Sequence, residues 1–156
     1  MLRISKLTDY ATVILGALAH DPGQVHTAGA LAARTHVAAP TVSKVLKTLH
    51  RAGLVVSTRG LRGGYQLARP PEAISAAAIL DALEGPLALT DCAVGEGQCG
   101  IEQTCRVGRA WQRVNVAIRR SLNDVSLAQL AGLSGAAQLR FAALQRELQS
   151  FTGVRR

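Results

Sequence analysis

PTVSKVLKTLHRAGLVVSTRGLRGGYQL, residues 40–67, decides the fold. Its first half has the period of a helix. Pro40 suits a first helical turn, where its missing N–H has no partner to lose. Val42, Val45, Leu46 and Leu49 recur on one face, Lys44, Lys47 and Arg51 lie on the opposite one, with Thr41 and Thr48 to one side and Ser43 to the other. Gly53 is a natural left-handed stop. The second half changes period. Residues 54–57 are a β-branched strand, residues 65–67 a second one, and TRGLRGG between them supplies three glycines and the arginines Arg59 and Arg62. A basic, hydroxyl-bearing helix followed at once by a hairpin with a basic tip has the layout of a winged helix. An ordinary helical hairpin explains the helices alone, but not the hairpin placed directly after them.

The flanks agree with this layout. Thr27 opens a short helix over residues 28–35, and residues 36–39 connect it to Pro40, completing a helix-turn-helix. A first helix, capped by Ser5 or Thr8, runs to about Ala19, with Leu7, Tyr10, Ile14, Ala17 and Leu18 expected on its buried face. Asp21-Pro22-Gly23 stops it. Beyond the stiff Arg69-Pro70-Pro71, a fourth helix is expected over residues 75–83, with Ala76, Ile79, Leu80 and Leu83 as its apolar stripe. A longer one follows to about Asn123, with Val107, Trp111, Val114, Ile118 and Leu122 along one seam and Arg109, Arg113 and Arg120 opposite. One or two helical turns are expected at 126–130, and another helical pattern at 134–152. The fold class expected is mainly α with a small β-hairpin wing. It comprises a winged helix-turn-helix head at 1–90, a cysteine loop at 91–106, a dimerisation helix at 107–125 and a helical tail at 126–156.

Charge points to the partner. The net charge is +8, but residues 1–70 hold nine Lys or Arg against two acids, and residues 71–105 hold six acids and no Lys or Arg. A basic head beside an acidic middle fits a polyanion. Aromatic residues make up only 3 %, which offers few stacking platforms for single strands and favours duplex DNA. No apolar run reaches the roughly 18 residues a membrane span needs. The N-terminus, interrupted by Asp9 and Tyr10, reads as a helix and not a signal peptide. A cytoplasmic, membrane-free protein is expected.

The acidic middle contains DCAVGEGQCGIEQTCR, residues 91–106, with all three cysteines: Cys92, Cys99 and Cys105. In a reducing compartment such a cluster suggests metal ligands or redox thiols before disulfides. The C-x6-C-x5-C spacing matches neither the closely paired cysteines of common zinc sites nor ferredoxin runs. Thiolates nevertheless suit iron–sulfur clusters. The residues themselves leave an iron–sulfur cluster, zinc, a redox thiol set and inert cysteines open. His20, His26, His36 and His50 show no ligand spacing, and no catalytic constellation stands out, so no enzymatic role is expected.

LTDYA near the start, RAGLVVSTRGLRGGYQLARP through the wing, the three-cysteine loop and SLAQLAG at 126–132 together resemble the Rrf-two family of winged-helix transcription regulators. The opening MLRISKLTDYATVIL with PTVSKVLK resembles the branch that regulates SUF cluster-assembly genes. The resemblance implies a homodimeric repressor that binds double-stranded operator DNA under control of an iron–sulfur cluster, 2Fe-2S in preference to 4Fe-4S. By position, the cluster ligands fall on Cys92, Cys99 and Cys105. ISC-type regulators add a histidine three residues beyond the last cysteine, where this chain has Gly108. The nitric-oxide-sensing type uses an aspartate of the first helix from the other subunit, and that position is Asp9. Glu102 inside the loop is the next candidate, and an exogenous ligand the third. The family's DNA contacts fall on Pro40, Thr41, Ser43 and Arg59, beside Lys44, Lys47 and Arg62 from the basic surface. Ser43 replaces an acidic residue of some ISC-type regulators, a departure that bears on the operator sequence.

Overall fold

A computed structural model describes residues 4–90, 100 and 105–133. In chain order these form α1 (Lys6–Ala19), α2 (Ala28–Thr35), α3 (Ala39–Arg51), β1 (Val55–Thr58), β2 (Gly64–Leu67), a 3-10 turn (Pro71–Ala73), α4 (Ala76–Glu84), α5 (Gly108–Asn123) and α6 (Leu127–Leu130). The mainly helical class with one two-stranded antiparallel hairpin is the one the sequence predicts.

The helix starts are set by hydroxyl caps. Ser5, Thr27 and Ser75 accept from the backbone N–H groups of Thr8, Ala30 and Ala78, each satisfying a donor that has no partner inside the helix. Ser126 does the same for α6, and Gln129 returns a bond to the Ser126 N–H, closing a capping box. α3 ends in a Schellman turn. The Leu54 N–H donates to the Leu49 carbonyl and the Gly53 N–H to the His50 carbonyl, with Gly53 at φ +70°.

α1 runs through the centre and packs against α2, α3, α4 and α6. Ala11, Ile14, Leu15 and Leu18 of α1 meet Leu31 of α2 and Val42, Val45, Leu46 and Leu49 of α3 in one core, with Ile74, Ile79 and Leu127. The buried stripe of α1 is rotated from the one expected. Tyr10 is 36 % exposed, while Thr8, Ala11 and Leu15 are buried. Both stripes have helical spacing and share Ile14 and Leu18, and packing against four other helices covers the one that adds Ala11 and Leu15. α6 lies in the stretch assigned to the tail, yet Leu127 and Ala128 are buried in the head. The Ala76 N–H donates to the Val125 carbonyl at 2.8 Å and the Leu127 N–H to the Ile74 carbonyl at 2.7 Å, stitching α6 to the start of α4. Residues 134–152, expected to be helical, lie outside the described residues.

Candidate DNA interface and cysteine site

The turn between α2 and α3 sets the recognition helix. His36 caps α2 in the left-handed region at φ 56°, a conformation histidine adopts more readily than bulky apolar residues. The chain then enters α3 at Ala39, with Pro40 in its first turn. Because Val42, Val45, Leu46 and Leu49 are wholly buried, the opposite face of α3 points outward. Pro40, Lys44, Lys47 and Arg51 are exposed, and Thr41 and Ser43 half-buried.

The wing sits beside this face. β1 pairs with β2 from Val55↔Leu67 to Thr58↔Gly64. A third segment locks its base. The His26 N–H donates to the Tyr65 carbonyl and the Tyr65 N–H to the His26 carbonyl, both at 2.8 Å. That pairing requires glycine next door, since a Cβ on Gly64 would lie 2.4 Å from the His26 carbonyl oxygen. The tip carries Arg59 and Arg62, both exposed and in no ion pair among the described residues. Between them Leu61 projects fully into solvent. Leu61 is absent from the DNA-contacting set expected from the sequence, and its full exposure between the two arginines is seen only in the structure. All the predicted DNA-contacting residues therefore lie on two adjacent elements, α3 and the wing, with cationic side chains free to meet phosphates.

The cysteine site is described at its edges. Cys105 is half-buried, carries a free thiol, and lies just before Gly108 opens α5. A free thiol at the end of a three-cysteine stretch suits a soft metal centre such as an iron–sulfur cluster. Cys92, Cys99 and Glu102 lie outside the described residues. Asp9 is exposed in the first turn of α1. It borders a cleft of about 670 Å³ walled by Lys6, Thr8 and Thr12 of α1, Ile79 and Leu80 of α4, and Leu122 beyond them. Among the described residues no three His, Cys, Asp or Glu side chains converge within the chain. Asp9 is solvent-exposed at the rim of that cleft.

Polar contacts tie the neighbouring elements together, and sequence reasoning had no signal for them. Asn115 of α5 is only 9 % exposed. Its side-chain oxygen accepts from the Leu89 N–H at 3.3 Å and its amide donates to the Leu87 carbonyl at 3.2 Å. Arg119 makes a two-pronged bond to Asp81 of α4, at 3.1 and 2.6 Å, and the Asp81 carboxylate holds the guanidinium pKa above its ordinary value. At the far end of α4, Glu84 accepts from the Thr8 hydroxyl and, at 3.2 Å, from the Ser5 N–H. Hydrogen bonding by Ser5, then by Thr8, lowers the Glu84 pKa.

α5 is the least covered helix. Val107 just before it and Trp111, Val114 and Val116 along it are 42–59 % exposed. Of the expected seam, Ile118 and Leu122 are half-buried and the first two turns are open to solvent. No helix among the described residues is long and apolar enough to cross a membrane.

Known proteins share this architecture. CymR of Bacillus subtilis is 29 % identical over 138 residues, 88 % of this chain and 95 % of its own. The protein rrf2 of Nitratidesulfovibrio vulgaris is 28 % identical over 130 residues, 83 % of this chain and 87 % of its own. The solved structure of CymR, described as the global cysteine regulator of B. subtilis, superposes with a TM-score of 0.66 at 30 % identity, covering 86 % of this chain and 99 % of that one. The structure of T. potens IscR gives a TM-score of 0.59 at 27 % identity, covering 90 % and 88 %. With the family described as iron-dependent transcriptional regulators matching residues 4–132, the chain belongs to the Rrf2 family of winged-helix transcriptional regulators.

Proposed function

We propose that the chain is a homodimeric repressor of iron–sulfur cluster assembly genes of the SUF type, whose operator affinity depends on an iron–sulfur cluster held by Cys92, Cys99 and Cys105. The observation that carries this reading is the placement of the three cysteines. They lie between the winged-helix head and α5, and the last of them, Cys105, is a free, half-buried thiol at the foot of that helix. When bound, the cluster supplies a centre that oxidants, nitric oxide or iron shortage alter. The three thiolates hold it, and the carboxylate of Asp9 from the partner subunit completes the set, with Glu102 as the local substitute. A carboxylate is a harder ligand than a thiolate and makes that corner the labile one, which suits a sensor. The cluster shifts DNA affinity only by its differential stability in the arrangement of heads that fits the operator. On the DNA side, Pro40, Thr41, Ser43, Lys44 and Lys47 of α3 enter the major groove while Arg59 and Arg62 reach the backbone or minor groove.

A second reading, which the cysteines themselves leave open and the free thiol of Cys105 equally suits, is that they act as redox thiols, or hold zinc, without a cluster. Anaerobic purification separates the two. A brown chain with bound iron and sulfide, whose affinity for its own promoter changes when the cluster is removed, is expected. A colourless or zinc-loaded chain sinks the cluster reading. Cys92→Ala is expected to lose most of the iron while keeping its helix content, and normal iron content would refute the ligand assignment.

A further inference from the structure

Both stems of the cysteine stretch are fastened to the same helix. On the outgoing side, Cys105 runs directly into α5 at Gly108. On the incoming side, residues 87–89 lie against α5 and are held there by Asn115. Its one amide group both accepts from the Leu89 N–H and donates to the Leu87 carbonyl. Asn115 is the one buried residue of α5, on a helix otherwise lined with arginines and exposed apolar side chains. Burying an amide is unfavourable unless its polar atoms find partners, and here both do. An aliphatic residue would pack at this point without that requirement. The amide is therefore matched to the backbone of the incoming stem.

We propose that Asn115 is a positioning residue for the cysteine site. It holds residues 87–89, which precede Cys92 in the sequence, against the helix that begins just after Cys105. It lies two turns into α5 from Gly108, about 10 Å along the axis. The incoming stem is thereby set at a defined height above the helix start, three residues short of Cys92. Next along the same helix, Arg119 clamps Asp81 of α4, and α4 reaches α1 through Glu84, Ser5 and Thr8. Asn115 thus joins the stem of the cysteine stretch to a line of polar contacts that ends beside Asp9 on the first turn of α1. The role in sensing rests on the cluster reading above; the clamp itself does not.

Two variants test this: Asn115→Leu, which removes both bonds, and Asn115→Asp, which keeps an acceptor for the Leu89 N–H and loses the donor to Leu87. The first readout needs no cluster. In the apo chain, hydrogen exchange at the Leu89 amide is expected to accelerate about tenfold in Asn115→Leu, the loss of roughly one hydrogen bond. Asn115→Asp should exchange at a rate between the two. Unchanged exchange in Asn115→Leu overturns the proposal. The second readout is the anaerobically loaded chain: Asn115→Leu should bind iron and sulfide, but lose them to a chelator about tenfold faster, with an altered visible circular dichroism spectrum. Wild-type retention and spectrum, beside accelerated Leu89 exchange, overturn the positioning role. If Asn115→Leu fails to fold, the same two comparisons are made with Asn115→Asp. A wild-type chain that takes up no iron and sulfide overturns the cluster reading instead, and the exchange measurement still decides whether Asn115 holds the stem.

Discussion

Glu84 is exposed, yet its carboxylate accepts from both the Thr8 hydroxyl and the Ser5 N–H, far away in sequence. Those bonds favour the ionised form and lower its pKa below the usual value of about 4.5. The sign of the consequence is fixed. A lowered pKa in the folded state stabilises the fold above the unfolded-state value. That stabilisation is lost as pH falls through the folded-state value. Denaturant midpoints of the wild type should therefore fall more steeply below about pH 4.5 than those of Glu84→Gln, and parallel curves would contradict the contact. At this scale the sequence was legible where one residue type has one job. Ser5 and Thr27 cap helices as expected, because a hydroxyl just ahead of an apolar run has few other uses, and Ser75, expected as the first residue of the fourth helix, is its cap. Tyr10, Asn115 and Glu84 were not legible. Their roles depend on residues 26 to 79 positions away or on which of two similar stripes is covered.

At the scale of elements, the change of period at Gly53 was decisive. The buried set of α3 and the strands on either side of the glycine-rich tip fall where the pattern puts them, within a residue or so at the ends. β1 begins at Val55, not Leu54, because Leu54 is used to close the Schellman turn of α3. The pairing of His26 with Tyr65 joins a loop to the wing, and no period announces it. It holds the wing at the flank of α3, so the exposed Arg59 sits on a braced support. Arg59→Ala should weaken operator binding about tenfold, and the dependence of log affinity on log salt should become shallower by about 0.9 for each phosphate no longer neutralised. Iron content should not change. An unaltered salt slope would remove Arg59 from the interface.

Among the described residues, α5 is the helix with the longest run of exposed apolar side chains. Val107, Trp111 and Val114 form an exposed apolar strip on the first turns of α5, directly after Cys105. Pairing of two chains along this strip would bury it, as the homodimer proposed above requires. Trp111 is the single tryptophan, so its fluorescence reports on that surface alone. In the proposed dimer its emission should lie to the blue of that in a dissociated chain. Trp111→Glu should weaken self-association by about 30-fold or more, the scale of a central aromatic contact, and lower operator affinity with it. A Trp111→Glu chain that sediments as the wild type does would place the interface elsewhere.

The sequence by itself determined the head: four helices, a hairpin and a basic outer face, with a three-cysteine stretch placed after them. These follow from local rules of period, cap and turn, and each is written in contiguous residues. Only the tertiary structure decided which stripe of α1 is buried, that α6 joins the head, that His26 braces the wing, and that Asn115 holds the stem leading to Cys92. Each of these depends on a buried or hydrogen-bonded group finding its partner across the fold. A linear pattern shows that such a group exists, and only packing shows which atoms satisfy it.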